Sequence, residues 1–281
     1  MKLLQLRSAT CLLDYAGQRL LVDPMLAAPG AMPGFKLLGG GRRRNPLVPL
    51  PAGTDAALAS ATAVLLTHEH PDHFDAAGRA FARGRGLPVH ATAVDAPHLR
   101  AKGLDARVVE GGSLGFPAEV IRARHAHGPL GYFLGPVAGY YLAAPGEPTV
   151  YVVGDAVLVD AVREAVERLA PEIIVAPAGS ANVGFGGDIL FSPHELETLV
   201  RLAPGRVVLN HLEALDHCPT TRDQLRARMT AAGLMSKVFI PEDGEQLEFT
   251  TNAERQAQPR EDAPITRPGI QKWMTAPFSG A

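Results

Sequence analysis

Residues 67–73 read Thr67-His68-Glu69-His70-Pro71-Asp72-His73. Three imidazoles and an aspartate fall within six consecutive positions, directly after the apolar run Ala63-Val64-Leu65-Leu66. A short apolar run of this kind reads as a buried strand. The cluster therefore sits where a rigid element gives way to a loop, a place that holds ligands in fixed geometry. His68 and His70 are two residues apart and can face one metal ion together. Pro71 stops the strand, so Asp72 and His73 can swing toward a second ion. Imidazole nitrogen and carboxylate oxygen without thiolate suit zinc, manganese or iron(II). A solvated loop that happens to be rich in histidine is the weaker reading, because four ligand-type residues in six at a strand end rarely arise by accident.

Such a cluster needs a frame, and the chain supplies strands first. Segments 3–6, 10–15 and 19–23 read as a meander with Ala16-Gly17-Gln18 as a turn. Residues 24–53 are rich in Gly and Pro, including Gly39-Gly40-Gly41 and Pro46, Pro49 and Pro51. They read as a long loop, and long loops in compact domains are usually functional. Helices are expected near 74–83 and 94–102, and strands at 106–109, 118–124, 137–143 and 148–153. In the second half, Leu158, Ala161, Val162, Ala165, Val166 and Leu169 recur at helical spacing over 157–169. A strand is expected at 172–176. Ser192-Pro193-His194-Glu195 and Thr221-Arg222-Asp223-Gln224 are capping boxes that open helices running to about 203 and 232. Strands near 236–240 and 246–250 close the domain. This order predicts an α+β protein with two sheets face to face and helices outside, the ligands lying at strand ends along one edge. Residues 251–281 carry four prolines and scattered charge. They read as an extended tail, with Trp273, Met274 and Phe278 as its candidate docking residues.

The chain resembles the metallo-β-lactamase-fold hydrolases, whose signature is His-x-His-x-Asp-His followed by three distant single ligands. Their counterparts here are His127 in Arg124-His125-Ala126-His127-Gly128, Asp155 after the apolar run ending Val152-Val153-Gly154, and His211 after Val207-Val208-Leu209-Asn210. The resemblance covers roughly residues 1–250 and implies a four-layer αββα sandwich over that span. It also implies two divalent ions, zinc first and manganese or iron(II) next. His68, His70 and His127 would hold the first ion, Asp72, His73 and His211 the second, and Asp155 would bridge them. Within the superfamily the chain looks closest to the ascorbate-6-phosphate-lactonase-like group, through Leu21-Val22-Asp23-Pro24, Asn210-His211-Leu212-Glu213-Ala214 and Pro241-Glu242-Asp243-Gly244-Glu245.

Some assignments stay open at this level. His125 competes with His127, and the glycine that follows favours His127. His217 competes with His211 and otherwise lines the cleft with Cys218. Asp155 is either the bridge or a helix cap. Asp23 either reaches substrate or bonds a ligand histidine. Arg44, in Arg42-Arg43-Arg44-Asn45, is a candidate for pairing a substrate phosphate or carboxylate. The loop at 35–50 is then expected to overhang the cleft, with an oligomer contact as its other use. Residues 182–188 are glycine-rich and suit a cleft wall.

Two adjacent cations lower the pKa of a bound water and yield hydroxide near neutral pH. Asp72 and Asp155 are the carboxylates placed to serve that chemistry. No protein nucleophile is needed for this chemistry. The expected function is hydrolysis, by metal-bound hydroxide, of a small ester, lactone or phosphorylated metabolite, with an anionic substrate in view. The alternatives are a phosphodiesterase acting on a nucleotide or nucleic acid, and a non-catalytic metal-binding protein of the same fold. A net charge of −2 gives no bulk attraction to nucleic acid or anionic membrane. No apolar run approaches the roughly 18–20 residues of a membrane span, and the opening residues are too briefly apolar for a signal peptide. Cys11 and Cys218 lie far apart with no metal or redox spacing. A cytoplasmic enzyme is the reading that follows.

Overall fold

Tight turns break the apolar start of the chain into three short antiparallel strands, β1 (Lys2–Arg7), β2 (Thr10–Tyr15) and β3 (Gln18–Val22). In this computed structural model, which describes residues 1–251, Ala16 and Gly17 both adopt positive φ to close the second turn. The expected tail, with Trp273, Met274 and Phe278, lies outside the described residues. After the long loop come α1 (Thr54–Ala59), β4 (Ala63–Leu65), α2 (Ala76–Arg85), β5 (Val89–Ala91), α3 (Asp95–Ala101) and β6 (Ala106–Val108). Strands β3 to β6 run parallel. The last strand, β13 (Gln246–Glu248), pairs with β1, giving a seven-stranded sheet ordered β13-β1-β2-β3-β4-β5-β6.

The second sheet is built from β7 (Ala118–Arg124), β8 (Pro136–Leu142), β9 (Val150–Val152), β10 (Ile173–Pro177), β11 (Arg206–Asn210) and β12 (Val238–Phe239), in the order β12-β11-β10-β9-β8-β7. Its helices are α4 (Gly128–Phe133), α5 (Asp160–Leu169), α6 (Pro193–Leu202) and α7 (Arg222–Ala231). Both capping boxes read from the sequence form, with Ser192 and Thr221 accepting from the backbone of Glu195 and Gln224.

Three apolar layers hold this arrangement. Leu13, Tyr15, Leu65, Tyr140, Val152, Val175 and Val208 fill the space between the sheets. Val162, Val166, Leu196, Leu199, Leu225 and Met229 seat α5, α6 and α7 on the second sheet. Leu21, Val64, Ala57, Ala82, Val89 and Leu99 seat α1, α2 and α3 on the first. The result is helix, sheet, sheet, helix: the α+β, four-layer αββα sandwich. Each fully buried Val or Leu contributes about 1.5–3 kcal/mol before conformational entropy is subtracted. Two helices depart from expectation. α1 is a six-residue helix that follows the loop of residues 24–53, in a segment for which no element was expected. α4 buries none of its residues, so no apolar period marks it in the sequence. Among the described residues, no helix is long and apolar enough to cross a membrane.

Two buried guanidiniums hold the segments that border the strand ends. Arg7, on β1 and fully buried, donates to the carbonyls of Val48, Met25 and Ala27, fastening both ends of the long loop to the first sheet. Arg222, at the start of α7, pairs with Glu213 and with Asp243 at 2.6 Å, and its Nε donates to the Pro241 carbonyl at 2.8 Å. It thereby ties the turn after β11 to the turn before β13. Arg222→Ala would leave two carboxylates without their cation. We expect a loss of about 3 kcal/mol, read as a lowered urea midpoint; an unchanged midpoint would show that the pairs are replaced by water without cost.

Candidate metal centre

The ligand-type residues all follow strand ends. His68, His70, Asp72 and His73 come after β4, His125 after β7, Asp155 after β9 and His211 after β11. They gather into two groups, His68 with His70 and His125, and Asp72 with His73, Asp155 and His211, the ligand atoms in each lying within 4.8 Å of one another. Gly154 lets the two sheets approach here. It has φ +69°, and a Cβ on it would stand 2.9 Å from the Ala138 carbonyl and 3.0 Å from the Thr67 Cβ. His211 adopts φ +59°, strain that its backbone N–H offsets by donating to the Ser8 carbonyl at 2.9 Å.

Four of the imidazoles have one nitrogen committed to an acceptor outside the cluster. His73 Nδ1 donates to Asp23 at 2.8 Å. His125 Nδ1 donates to the Ile189 carbonyl at 2.7 Å. His70 Nε2 donates to the Leu134 carbonyl at 3.0 Å. His68 Nδ1 lies 3.1 Å from the Thr67 hydroxyl, which itself donates to Asp23 at 2.7 Å and so accepts from the imidazole. In a neutral ring the other nitrogen is then a lone pair. The inward nitrogens crowd one another: His68 Nε2 is 3.0 Å from His70 Nδ1, and His73 Nε2 is 3.2 Å from His211 Nε2.

Asp155 lies between the groups. Its Oδ1 is 3.1 Å from His73 Nε2 and 3.5 Å from His211 Nε2, and its Oδ2 is 3.3 Å from His125 Nε2. Oδ1 is buried without a well-formed hydrogen bond. Converging ring nitrogens and an orphaned carboxylate oxygen are a donor set that a cation satisfies. The charge balance agrees. Burial, reinforced by neighbouring imidazoles, holds His68 and His70 below the usual range, so both are neutral donors. Burial would raise Asp155, but His73 and His211 overcome it and keep the carboxyl well below its ordinary value. His73 is raised well above the usual range, against burial, because Asp155 and Asp23 together hold its proton. A cation in this place would take over that proton's role.

The structure corrects two of the sequence expectations. His125, not His127, joins the cluster. His127 stands at the N-cap position of α4, 62% exposed, with Nε2 2.8 Å from Glu195. The glycine after His127 serves the start of α4 rather than a ligand turn. Arg44 is committed within its own loop: its Nε donates to the Gly30 carbonyl at 2.6 Å and its NH2 to Ala31, so it braces that loop. Asp155 does not cap α5, whose N-cap position is Val159. Asp23 is buried and serves the histidines, accepting from the Thr67 backbone, the Thr67 hydroxyl and His73. His217 is buried at the edge of the second group, with Nε2 3.9 Å from Asp72. Sequence reasoning passed over Thr67 and Asp216. The adjacency of Thr67 to His68 was a usable cue. Asp216 accepts from the backbones of Phe35 and Arg43 and from the Asn45 side chain, contacts that no local pattern announces.

Comparison with known proteins gives a consistent picture. Residues 18–212 match the beta-lactamase superfamily domain. The UPF0173 protein YddR of Bacillus subtilis (strain 168) is 30% identical over 254 residues, covering 89% of this chain and 100% of the relative. A UPF0173 metal-dependent hydrolase of Xanthobacter autotrophicus is 30% identical over 196 residues, 64% of this chain and 72% of the relative. Among solved structures, an isothiocyanate hydrolase from Delia radicum gut bacteria is 32% identical with a TM-score of 0.82, covering 89% of this chain and 100% of that one. A possible metal-dependent hydrolase from Veillonella parvula is 28% identical with the same TM-score of 0.82, covering 89% and 99%.

The two neighbouring histidines provide a direct test. His125→Ala should lower the metal retained after dialysis, while His127→Ala should leave it at the wild-type level. The readout is elemental analysis of both purified variants, and the reverse pattern would restore His127 to the cluster.

Proposed function

From the premise that this chain belongs to the metallo-β-lactamase-fold superfamily and is a metal-dependent hydrolase, we propose that it holds two divalent ions and cleaves a small ester, lactone or related carbon electrophile. The observation that carries this reading is the set of inward nitrogens, one from each imidazole whose other nitrogen is fixed by an acceptor. His68, His70 and His125 would hold one ion, and Asp72, His73 and His211 the other. Asp155 has an oxygen facing each group and would join them. Zinc suits this nitrogen and oxygen set, with manganese or iron(II) next. Two adjacent divalent ions supply Lewis acidity and water activation near neutral pH.

The chain's own residues set the geometry for that chemistry. Asp23 fixes the ring of His73 directly and that of His68 through Thr67. Such partners orient ligands and raise their basicity. Leu134 and Ile189 do the same for His70 and His125 through their carbonyls. Cys218 is not a competing nucleophile, because burial and the nearby carboxylates push its thiol well above the usual range. A carbon centre is favoured over phosphorus by the likeness to the isothiocyanate hydrolase, whose name places an electrophilic carbon at its own site.

Two substitutions test the reading. Asp155→Ala should abolish turnover and reduce metal content while the far-ultraviolet circular dichroism stays native; full metal occupancy with wild-type hydrolysis would sink the proposal. Asp23→Ala should weaken metal affinity by about 10- to 100-fold, measured by competition with a chelator. Elemental analysis showing a single ion per fully loaded chain would remove the two-ion assignment.

A further inference from the structure

We propose, resting on the hydrolase reading above, that the mouth over the ligand cluster is an apolar wall that selects substrate by its hydrocarbon portion. The wall can be traced contact by contact from one ligand group to the other. It starts at Phe35, whose ring meets that of His217 edge-on with centroids 5.3 Å apart. The backbone N–H groups of Leu37 and Leu38 then donate to the Val183 carbonyl at 2.9 and 3.2 Å. Gly184 seals the next contact: at φ +100°, a Cβ there would lie 2.3 Å from the Leu38 carbonyl oxygen. Beyond Phe185, Gly186 lies so close to α4 that a Cβ would stand 2.8 Å from Leu130 Cδ2. The chain leaves α4 through Leu134, whose carbonyl accepts from His70.

This arc therefore runs from His217, beside Asp72, to His70. Its inner members Phe35, Leu130 and Leu134 pack on a separate apolar cluster that includes Met25, Val183, Ile189 and Cys218. Its outer members are exposed apolar side chains: Leu37 at 54%, Leu38 at 58%, Phe185 at 47% and Phe133 at 93%. Exposed apolar groups gathered at one opening mark a binding surface. Several polar groups of the same loop hold it together. Arg42 and Arg44 donate to loop carbonyls, and Asp216 accepts from the Phe35 and Arg43 backbones. Continuity of the wall with the ligands assigns it to substrate rather than to a second copy of the chain.

The experiment is calorimetric titration of zinc-loaded protein with acetohydroxamate, butanohydroxamate and hexanohydroxamate, which share a chelating head and differ in tail length. Affinity should rise about three- to fourfold for each methylene the mouth buries. Leu37→Asp and Phe185→Asp should flatten that series, the longest member losing most. Equal affinity across the series, or a slope unchanged by both substitutions, would overturn the proposal. Sedimentation of wild type and both variants covers the other occupant: a wild-type dimer dissociated by either aspartate would give the wall to a second copy. Failure of every hydroxamate to bind would refute the metal assignment instead. A nuclear magnetic resonance titration with 1-hexanol, which has no chelating head, then reads the mouth alone. Shifts at Leu37, Leu38 and Phe185 would sustain the inference, and their absence would end it.

Discussion

The site depends on one arrangement: each of four imidazoles has its outward nitrogen fixed by an acceptor, which turns its inward nitrogen toward the centre. Asp23 is the most demanding of these acceptors. It adopts φ +45°, is almost fully buried, and receives three hydrogen bonds from Thr67 and His73. A buried carboxylate so placed is unfavourable unless every bond is made. Those bonds can form only when the end of β3 and the end of β4 lie side by side, which their parallel pairing ensures. The ligand geometry is thus inherited from sheet register, and Gly154 extends it to the second sheet by letting β9 end against Thr67.

Much of this was legible in the chain. The apolar run before His68 announced a strand, the two capping boxes located α6 and α7, and the heptapeptide placed four ligand-type residues at one strand end. What escaped reading was decided by tertiary contact. His125 and His127 have similar neighbours, and a following glycine is a local cue. The choice rests on the Ile189 carbonyl, 64 residues away, which orients His125, and on Glu195, which takes His127. α4 was missed because it buries none of its residues, so hydrophobic periodicity had nothing to report. The composition of the long loop was plain, but its conformation is held by Arg7 and Asp216 from distant segments. An arginine triplet in a flexible-looking loop invited a substrate role. The guanidiniums of Arg42 and Arg44 instead satisfy carbonyls that a loop without regular pairing leaves open.

Electrostatics at the centre and packing at its mouth make opposite demands. The interior groups five imidazoles and two carboxylates with little solvent, which is tolerable only with compensating charge. The mouth places aliphatic and aromatic side chains around that polar interior. The boundary is sharp: Phe35 touches His217 on one side, while Leu37, two residues on, is more than half exposed. Such a gradient orients a molecule whose reactive centre and hydrocarbon part differ in polarity, because each end has only one favourable place.

The pairing of β1 with β13 has a consequence for the order in which the molecule is made. Lys2 stands opposite Glu248, and the Phe249 backbone N–H donates to the Met1 carbonyl. Of the described strands, β1 leaves the ribosome first, and it waits for almost the last described residues before its outer edge is covered. Contacts of such long sequence separation form late and slow folding. Until then β1 offers an unpaired edge, and its neighbour in the native sheet is β2 alone. A nascent chain with that exposed edge is prone to strand exchange with other copies. The charged ends of the β1–β13 ladder, Lys2 against Glu248 at 3.0 Å, favour the correct partner over a random apolar strand.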